Sequence, residues 1–355
     1  MKKLLAVLLV GCMMFAFAAC APTASPSSTT PASEGGDPPV VAKEVTVGVL
    51  IYKYDDAYIA TVRAAIDKYA AESTDVIVKL DMQDGQGDQS KQNDQLDVLI
   101  QKKVDALLVN MVDQESAAGV ATKAKDAGIP VIFFNKEPAA DVVKGVNGLF
   151  VGTTAKDAGI MQGDILADLY ESNKDIDLNK DGKLQYVIFK GEATHPEAIA
   201  RTEYCIKQSE ARGLQMDAIV KDPIVADWAI DKAQSMMEAT WAANKGKIEV
   251  IFCNNDDMAL GVIAALNNVG YNKGGPADGD WIPVIGVDAT DAGMEAVNSK
   301  KMFGTVKQDG DAMGKALVAV VKNAATGVAG PFLDGTDYTL DADGFSVRIP
   351  YSKVG

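Results

Sequence analysis

From Val45 onward the chain alternates between two kinds of hydrophobic patterning. Short, continuous, β-branched runs, "VTVGVLI", "VIVKL", "ALLVN", "PVIFFN", "YVIFK", "EVIFC" and "PVIGVD", predict strands of a parallel sheet that is covered on both faces. Between them lie stretches with helical spacing, such as "AYIATVRAAIDKYAAE" and "MALGVIAALNNVG". Strand and helix in strict alternation predict an α/β fold.

The order also repeats within the chain. "VDALLVNMVDQESAAGVATKAKDAGIPVIFFNK" and "IEVIFCNNDDMALGVIAALNNVG", closed by "WIPVIGVDAT", each read strand, polar loop, helix, then an "IPVI" strand with a polar end. Two similar open, doubly wound lobes follow. Asn110, Asp113, Asn135, Glu192, Asn255, Asp256 and Asp288 all fall at or just past carboxyl ends of predicted strands. Open parallel sheets bind ligands at those ends, so two lobes facing each other there would form a cleft.

Composition narrows the partners. A chain of 355 residues, 48% hydrophobic, is long enough for two packed lobes, and its net charge of -15 makes nucleic acid or an anionic lipid surface a poor partner. The N-terminus differs from the rest. Lys2 and Lys3 precede the apolar run "LLAVLLVGCMMFAFAAC", which has the make-up of an export signal with Ala18 and Ala19 before Cys20. "FAAC" resembles a lipoprotein signal in which Cys20 carries the lipid; "LVGC", ending at Cys12, is the competing site. Residues 21–43 follow as a Pro/Ser/Thr-rich tether. The protein is therefore expected outside the cell membrane, tied to it through the lipid alone. Cys205 and Cys253 read as two buried thiols in preference to a disulfide.

Catalysis finds little support. There is one histidine, His195, and no nucleophile elbow, Cys–His signature or phosphate-cradling loop. Binding of a small polyol fits better, because such a ligand needs several planar donors and acceptors and an aromatic face. "YKYDDAY" offers Asp56 and Tyr58 after the first strand, although Asp56 reads equally as the N-cap of the next helix. "KGEATHPEAIAR" places His195, Glu197 and Arg201 together, and "VADWAI" adds Trp228.

One loop stands apart. In "DIDLNKDGKLQY", Asp177, Asn179, Asp181 and Gly182 have the opening spacing of a calcium loop, but its twelfth position is Ile188 where a bidentate Glu is required. Either it is an ordinary polar turn or the carboxylate comes from elsewhere.

Taken in order, "IYKYDDAYIATVRAAID", "DGQGDQSKQNDQLDVLI", "PVIFFNKEP", "LNKDGKLQYVIFKGEATHPEAIART", "IEVIFCNNDDMALG" and "IPVIGVDA" resemble the galactose/glucose-binding proteins of bacterial sugar transport and chemotaxis, from about Val45 to Tyr351. The resemblance implies two lobes of the type I class joined by three crossovers, with residues 44–152 and 308–345 in the first lobe and 153–307 and 346–355 in the second. It implies that Asp56 and Asn135 contact sugar hydroxyls from the first lobe, that His195, Arg201, Asn255 and Asp288 do so from the second, and that Tyr58 and Trp228 sandwich the ring. Glu197 and Gln308 stand where that family has Asp and Asn, each adding a methylene at a sugar contact. The resemblance also supplies the missing carboxylate, Glu249 of "KIEVIFC", completing a structural Ca²⁺ set of Asp177, Asn179, Asp181, Gln185, the Lys183 carbonyl and Glu249, within the roughly six to eight oxygens that Ca²⁺ takes. The implied partners are galactose or glucose, an ATP-driven permease and a chemoreceptor, with the protein a monomer. A binding protein of the same fold for another sugar is the near alternative. The effector domain of a sugar-responsive repressor and an extracellular glycosidase are the distant ones.

Overall fold

The structure is a computed structural model that describes residues 42–354; Cys12, Cys20 and all but the end of the expected tether lie outside them. The first part runs β1 (Lys43–Ile51), α1 (Ala57–Glu72), β2 (Val76–Asp84), α2 (Gln89–Gln101), β3 (Ala106–Val109), α3 (Ala117–Asp126), β4 (Val131–Phe134), α4 (Ala140–Gly145) and β5 (Leu149–Gly152). The second runs α5 (Ala155–Ser172), β6 (Leu184–Lys190), α6 (Pro196–Ala211), β7 (Met216–Ala218), β8 (Ile224–Val225), α7 (Ile230–Asn244), β9 (Val250–Cys253), α8 (Asp256–Asn268), β10 (Val284–Asp288), α9 (Asp291–Asn298) and β11 (Gly304–Gln308). The chain ends with α10 (Gly310–Thr326), β12 (Ser346–Arg348) and β13 (Tyr351–Val354).

Two sheets result. The first has the order β12-β5-β4-β3-β1-β2 and is parallel throughout. The second has the order β13-β11-β10-β9-β6-β7, with β8 also on β6, and is parallel except for β13 against β11. Every strand that the apolar runs predicted is present. Each sheet is covered on both faces, the first by α1 and α10 on one side and α2 and α3 on the other, the second by α7 and α8 and by α5 and α6. That double covering explains why the strands read as unbroken apolar runs.

The chain passes between the sheets three times, after β5, after β11 and after β12. Three boundaries differ from the sequence reading. Gln308, assigned to the first lobe, is the last residue of β11 in the second sheet, paired with Tyr351. β1 starts at Lys43, paired with Val76, so the last residue assigned to the tether is already strand. Ser346–Arg348, assigned to the second lobe, pairs with β5 in the first sheet, and the final crossing is Ile349–Pro350. Three-residue strands carry too little pattern to show which sheet they join.

Local signals fix the helices. Asp88 accepts from the Ser90 and Lys91 amides at the start of α2, Thr290 caps α9 and Asp309 caps α10, which ends on Gly327 at φ 94°. Cys205 and Cys253 are free, buried thiols, and burial pushes both pKa values up. Gln162, fully buried on α5, stitches β9 to β10 by donating to the Cys253 carbonyl at 2.8 Å and the Ile285 carbonyl at 3.1 Å.

The packing of α8 on α7 depends on one missing side chain. A Cβ on Gly261 would lie 2.1 Å from the Ile230 carbonyl oxygen, a rigid backbone atom. Gly261→Ala should therefore lower stability by about 1–3 kcal/mol, read from equilibrium denaturation. An unchanged midpoint would mean that the two helices can part freely.

Candidate functional site

The loops at the carboxyl ends of both sheets meet over one cavity. From the first sheet comes Asp56, between β1 and α1, doing two things at once. One carboxylate oxygen caps α1 by accepting from the Ile59 amide at 2.7 Å, and the other accepts from the Tyr52 hydroxyl. Tyr58 is buried in the first turn of α1, its hydroxyl 3.5 Å from Met313 Sδ of α10. Asn135 follows β4 in the left-handed region at φ 61°, and its side-chain oxygen accepts from Asn110 at 3.2 Å.

The second sheet supplies the rest. His195 is the N-cap of α6, with Pro196 at the first helical position, and its Nδ1 accepts from the Glu197 amide at 3.2 Å. Burial, helped by the Lys136 and Arg201 charges, holds its pKa well below the usual imidazole value, so His195 is neutral and Nε2 carries the proton. Arg201 is 2% exposed and donates to the Asn254 carbonyl at 2.7 Å, Gln308 Oε1 at 2.9 Å and the Tyr351 hydroxyl at 2.9 Å. Glu197 Oε2 lies 3.4 Å and Asp288 Oδ1 3.9 Å from the guanidinium. Trp228, at φ 64°, stands edge-on to His195 with ring centres 5.3 Å apart, and its carbonyl accepts from Asn255, the cap of α8. The indole fits only because residue 191 is glycine, since a Cβ there would sit 2.2 Å from the ring.

The cavity is tight, with a free volume of about 30 Å³, and all the expected cleft residues line it: Asp56, Tyr58, Asn135, His195, Glu197, Arg201, Trp228, Asn255, Asp288 and Gln308. Tyr52, Ile59 and Lys136 line it too. Sequence reasoning missed them, although Lys136 follows Asn135 directly at a strand end and could have been found there. Asn110, Asp113 and Asp256, by contrast, brace the site from outside. Asn110 holds Asn135, Asp113 caps a short 3₁₀ turn, and buried Asp256 accepts from Thr290 and Thr305.

Charge is balanced tightly inside. Burial pushes the Glu197 and Asp288 carboxyls up, and the Arg201 cation opposes it at both. Burial also works against the Arg201 charge, but Tyr351, Glu197 and Asp288 outweigh it and keep the guanidinium cationic. Arg201 Nε and Gln308 Nε2 are buried donors without a protein partner. With a neutral histidine, no activated nucleophile, several planar polar groups and an indole, the arrangement suits holding a small molecule rich in hydroxyls. Lys136, packed 4.1 Å from the centre of the Tyr52 ring, reaches across the cleft to Glu192 at 3.3 Å, and Asp257 of α8 lies near enough to Asp56 to feel its charge.

The loop 177–185 lies at the opposite, amino end of β6. Glu249, just before β9, reaches into it, accepting from the Leu178 amide at 2.6 Å, Asn179 at 3.2 Å and Gln185 at 2.9 Å. Asp177 accepts from the Asp181 and Gly182 amides, Asn179 and Gln185 both donate to Asp181, and the Lys183 amide donates to Asp181. Among the described residues no group of three or more His, Cys, Asp or Glu is gathered tightly enough to hold a metal by itself. The oxygen-rich set fits a hard cation only with the Asn179 and Gln185 amide oxygens and a backbone carbonyl included.

A family model described as the periplasmic binding protein domain matches residues 47–329. The chain is 39% identical over 315 residues to the D-galactose/methyl-galactoside binding periplasmic protein MglB of Haemophilus influenzae, covering 88% of this chain and 90% of that one. It is 26% identical over 316 residues to the ribose import binding protein RbsB of Bacillus subtilis, covering 89% and 90%. Among solved structures, an ABC transporter solute binding protein from Bacillus halodurans with bound myo-inositol superposes with a TM-score of 0.70 at 29% identity, covering 89% of this chain and 96% of that one.

Asp257 makes the closed arrangement pH-sensitive. Burial first, then Asp56 and Asp55 across the cleft, raise its pKa to about 6, against the pull of Lys53 and the Ala57 amide. An acid with a raised folded-state pKa favours folding below its unfolded value near 4 and loses that advantage as pH rises through about 6. Asp257→Asn, which keeps the shape and removes the charge, should melt a few degrees above the parent at pH 7, and the difference should vanish toward pH 4. Equal melting at pH 7 would count against the strain.

Proposed function

Since the chain belongs to the periplasmic binding protein family, we propose that it is the solute-binding component of an ABC-type importer, holding one monosaccharide, galactose or glucose, between its lobes and handing it to the permease. Relatives of this kind bind and deliver a solute without changing it, so the protein is not an enzyme. The observation that carries the sugar reading is the small cavity at both sets of strand ends, where a neutral His195, Asn135, Asn255 and the carboxylates Asp56, Glu197 and Asp288 gather beside Trp228. Neutral and anionic planar groups can bond hydroxyls without needing a charged ligand. The galactoside-binding relative supports galactose among the sugars.

In this mechanism the sugar acts as the third layer between the lobes. It favours the closed form to the extent that it bonds both sides at once, and the permease reads that form. A chemoreceptor would be a second reader. The apolar N-terminal segment supports export, with Cys20 as the lipid-bearing anchor. We also infer that Asp177, Asn179, Asp181, Gln185, Glu249 and the Lys183 carbonyl hold Ca²⁺, which would supply positive charge to a loop carrying three carboxylates.

Calorimetry with galactose, glucose, ribose and myo-inositol tests the ligand, and Asp56→Ser tests the site. Serine can still cap α1, but it offers no anionic acceptor, and bonds to charged groups are worth about 1.5–3 kcal/mol. The variant should melt close to the parent and bind galactose or glucose about ten- to a hundredfold more weakly. Affinity within threefold would leave Asp56 a cap only. For the cation, an ion at a hundredfold excess over its dissociation constant stabilises by about 2.7 kcal/mol, so chelation should lower the melting temperature by several degrees and added Ca²⁺ should restore it. A melting curve that ignores demonstrated metal removal would exclude the site.

A further inference from the structure

Glu197 and Arg201 line the second lobe's half of the cavity, and both are held by hydroxyl groups that do not line it. Thr153 follows β5 at the first crossing, and Tyr351 opens β13 after the last. The Tyr351 hydroxyl is 2.9 Å from Arg201 Nη2, Thr153 Oγ1 is 2.8 Å from the Tyr351 oxygen, and Thr153 Oγ1 is 3.1 Å from Glu197 Oε1. All four side chains are buried.

Elementary donor and acceptor chemistry sets the direction of every bond. A guanidinium only donates, so Tyr351 accepts from Arg201. An ionised carboxylate only accepts, so the single Thr153 proton goes to Glu197, and the bond between the two hydroxyls must carry the Tyr351 proton toward Thr153. The relay therefore runs Arg201 to Tyr351 to Thr153 to Glu197. Nη2 of Arg201 also serves Gln308 at 2.9 Å, which leaves Glu197, at 3.4 Å, held to Arg201 mainly by charge. The relay is tied to the crossings as well: Arg348, at the end of β12, donates to the Thr153 carbonyl at 2.9 Å and is clamped by both Glu137 oxygens at 2.7 Å.

We propose that Thr153 and Tyr351 are positioning residues for the sugar, a directed hydroxyl relay that carries the geometry of the chain crossings into the aim of Arg201 and the ionised state of Glu197. The proposal rests on the sugar-binding reading above. The relay residues all sit on α6, on β13 or at the first crossing, so the relay does not require the sugar to form. Glu197 also faces Lys136 and Glu137 from the first lobe, with Arg201 on its own helix. Burial raises its pKa, and the Thr153 bond is one of the influences that lower it again. Without that hydroxyl, Glu197 should take up a proton at higher pH and cease to be an anionic acceptor sooner on acidification.

The test compares Thr153→Val, which keeps the shape, with Thr153→Ser, which restores the donor, and with Tyr351→Phe. Calorimetry between pH 5 and 8 should show Thr153→Val and Tyr351→Phe binding galactose or glucose about tenfold more weakly at pH 7, as expected for losing a hydrogen bond to a charged group. The acid loss of affinity should move to higher pH in Thr153→Val and return in Thr153→Ser. In parallel, ¹³C NMR of the Glu197 carboxyl in the sugar-free protein should show its titration moved upward in Thr153→Val only. A Glu197 titration equal to the parent's in folded Thr153→Val, or sugar affinity within twofold across the pH range, would overturn the relay. If the parent bound no monosaccharide, the sugar reading would fail while the carboxyl titration still decided the relay.

Discussion

A guanidinium charge shut away from water must be surrounded by acceptors, because burying an ion without partners is among the most costly arrangements available to a protein. Arg201 is that ion here. Its acceptors are the Asn254 carbonyl past β9, Gln308 at the end of β11, Tyr351 at the start of β13 and, by charge, Glu197 and Asp288. Gln308 and Tyr351 flank the second and third crossings, and Thr153, bonded to Tyr351 and Glu197, marks the first. Satisfying one cation thus fixes three chain crossings, four strand ends and two carboxylates in a single arrangement.

Backbone strain gathers at the same place. Asn135, Trp228, Asp288 and Ala289 all have positive φ at the cleft, and none is glycine. Such residues persist only when the surroundings over-determine them. The surroundings are visible in each case: Asn110 grips Asn135, Gly191 and Asn255 frame Trp228, Arg201 attracts Asp288, and the Thr305 hydroxyl accepts from the Ala289 amide at 3.4 Å. Three of them, Asn135, Trp228 and Asp288, line the cavity.

Closure is a contest between charges. Lys136, whose own pKa is lowered by burial, joins Glu192 across the cleft, whereas Asp257 is brought against Asp56 and Asp55. One crossing contact draws the lobes together and the other resists it at neutral pH. A ligand that bonds both lobes adds to the attractive side, and the balance leaves the closed form responsive to it.

How much of this could be read from the sequence depended on the range of the interaction. The doubly wound sheets were legible because burial on both faces writes itself as unbroken apolar runs, and the caps and strand-end polar residues were legible because each acts within a few positions of its own place in the chain. Ten of the residues around the cavity are marked in the sequence by strand-end position and the resemblance, and the structure gathers them. Lys136 is legible at the same strand end as Asn135, whereas Tyr52, Thr153 and Tyr351 carry no spacing that marks them. The strand Ser346–Arg348 was too short to show its sheet. What tertiary structure alone decided was partnership across the crossings: which acceptor meets Arg201, which hydroxyl reaches Glu197, which carboxylate of one lobe faces the other. Those contacts join residues far apart in the chain, 198 positions in the case of Thr153 and Tyr351, and local sequence has no means of encoding a distance that only folding closes.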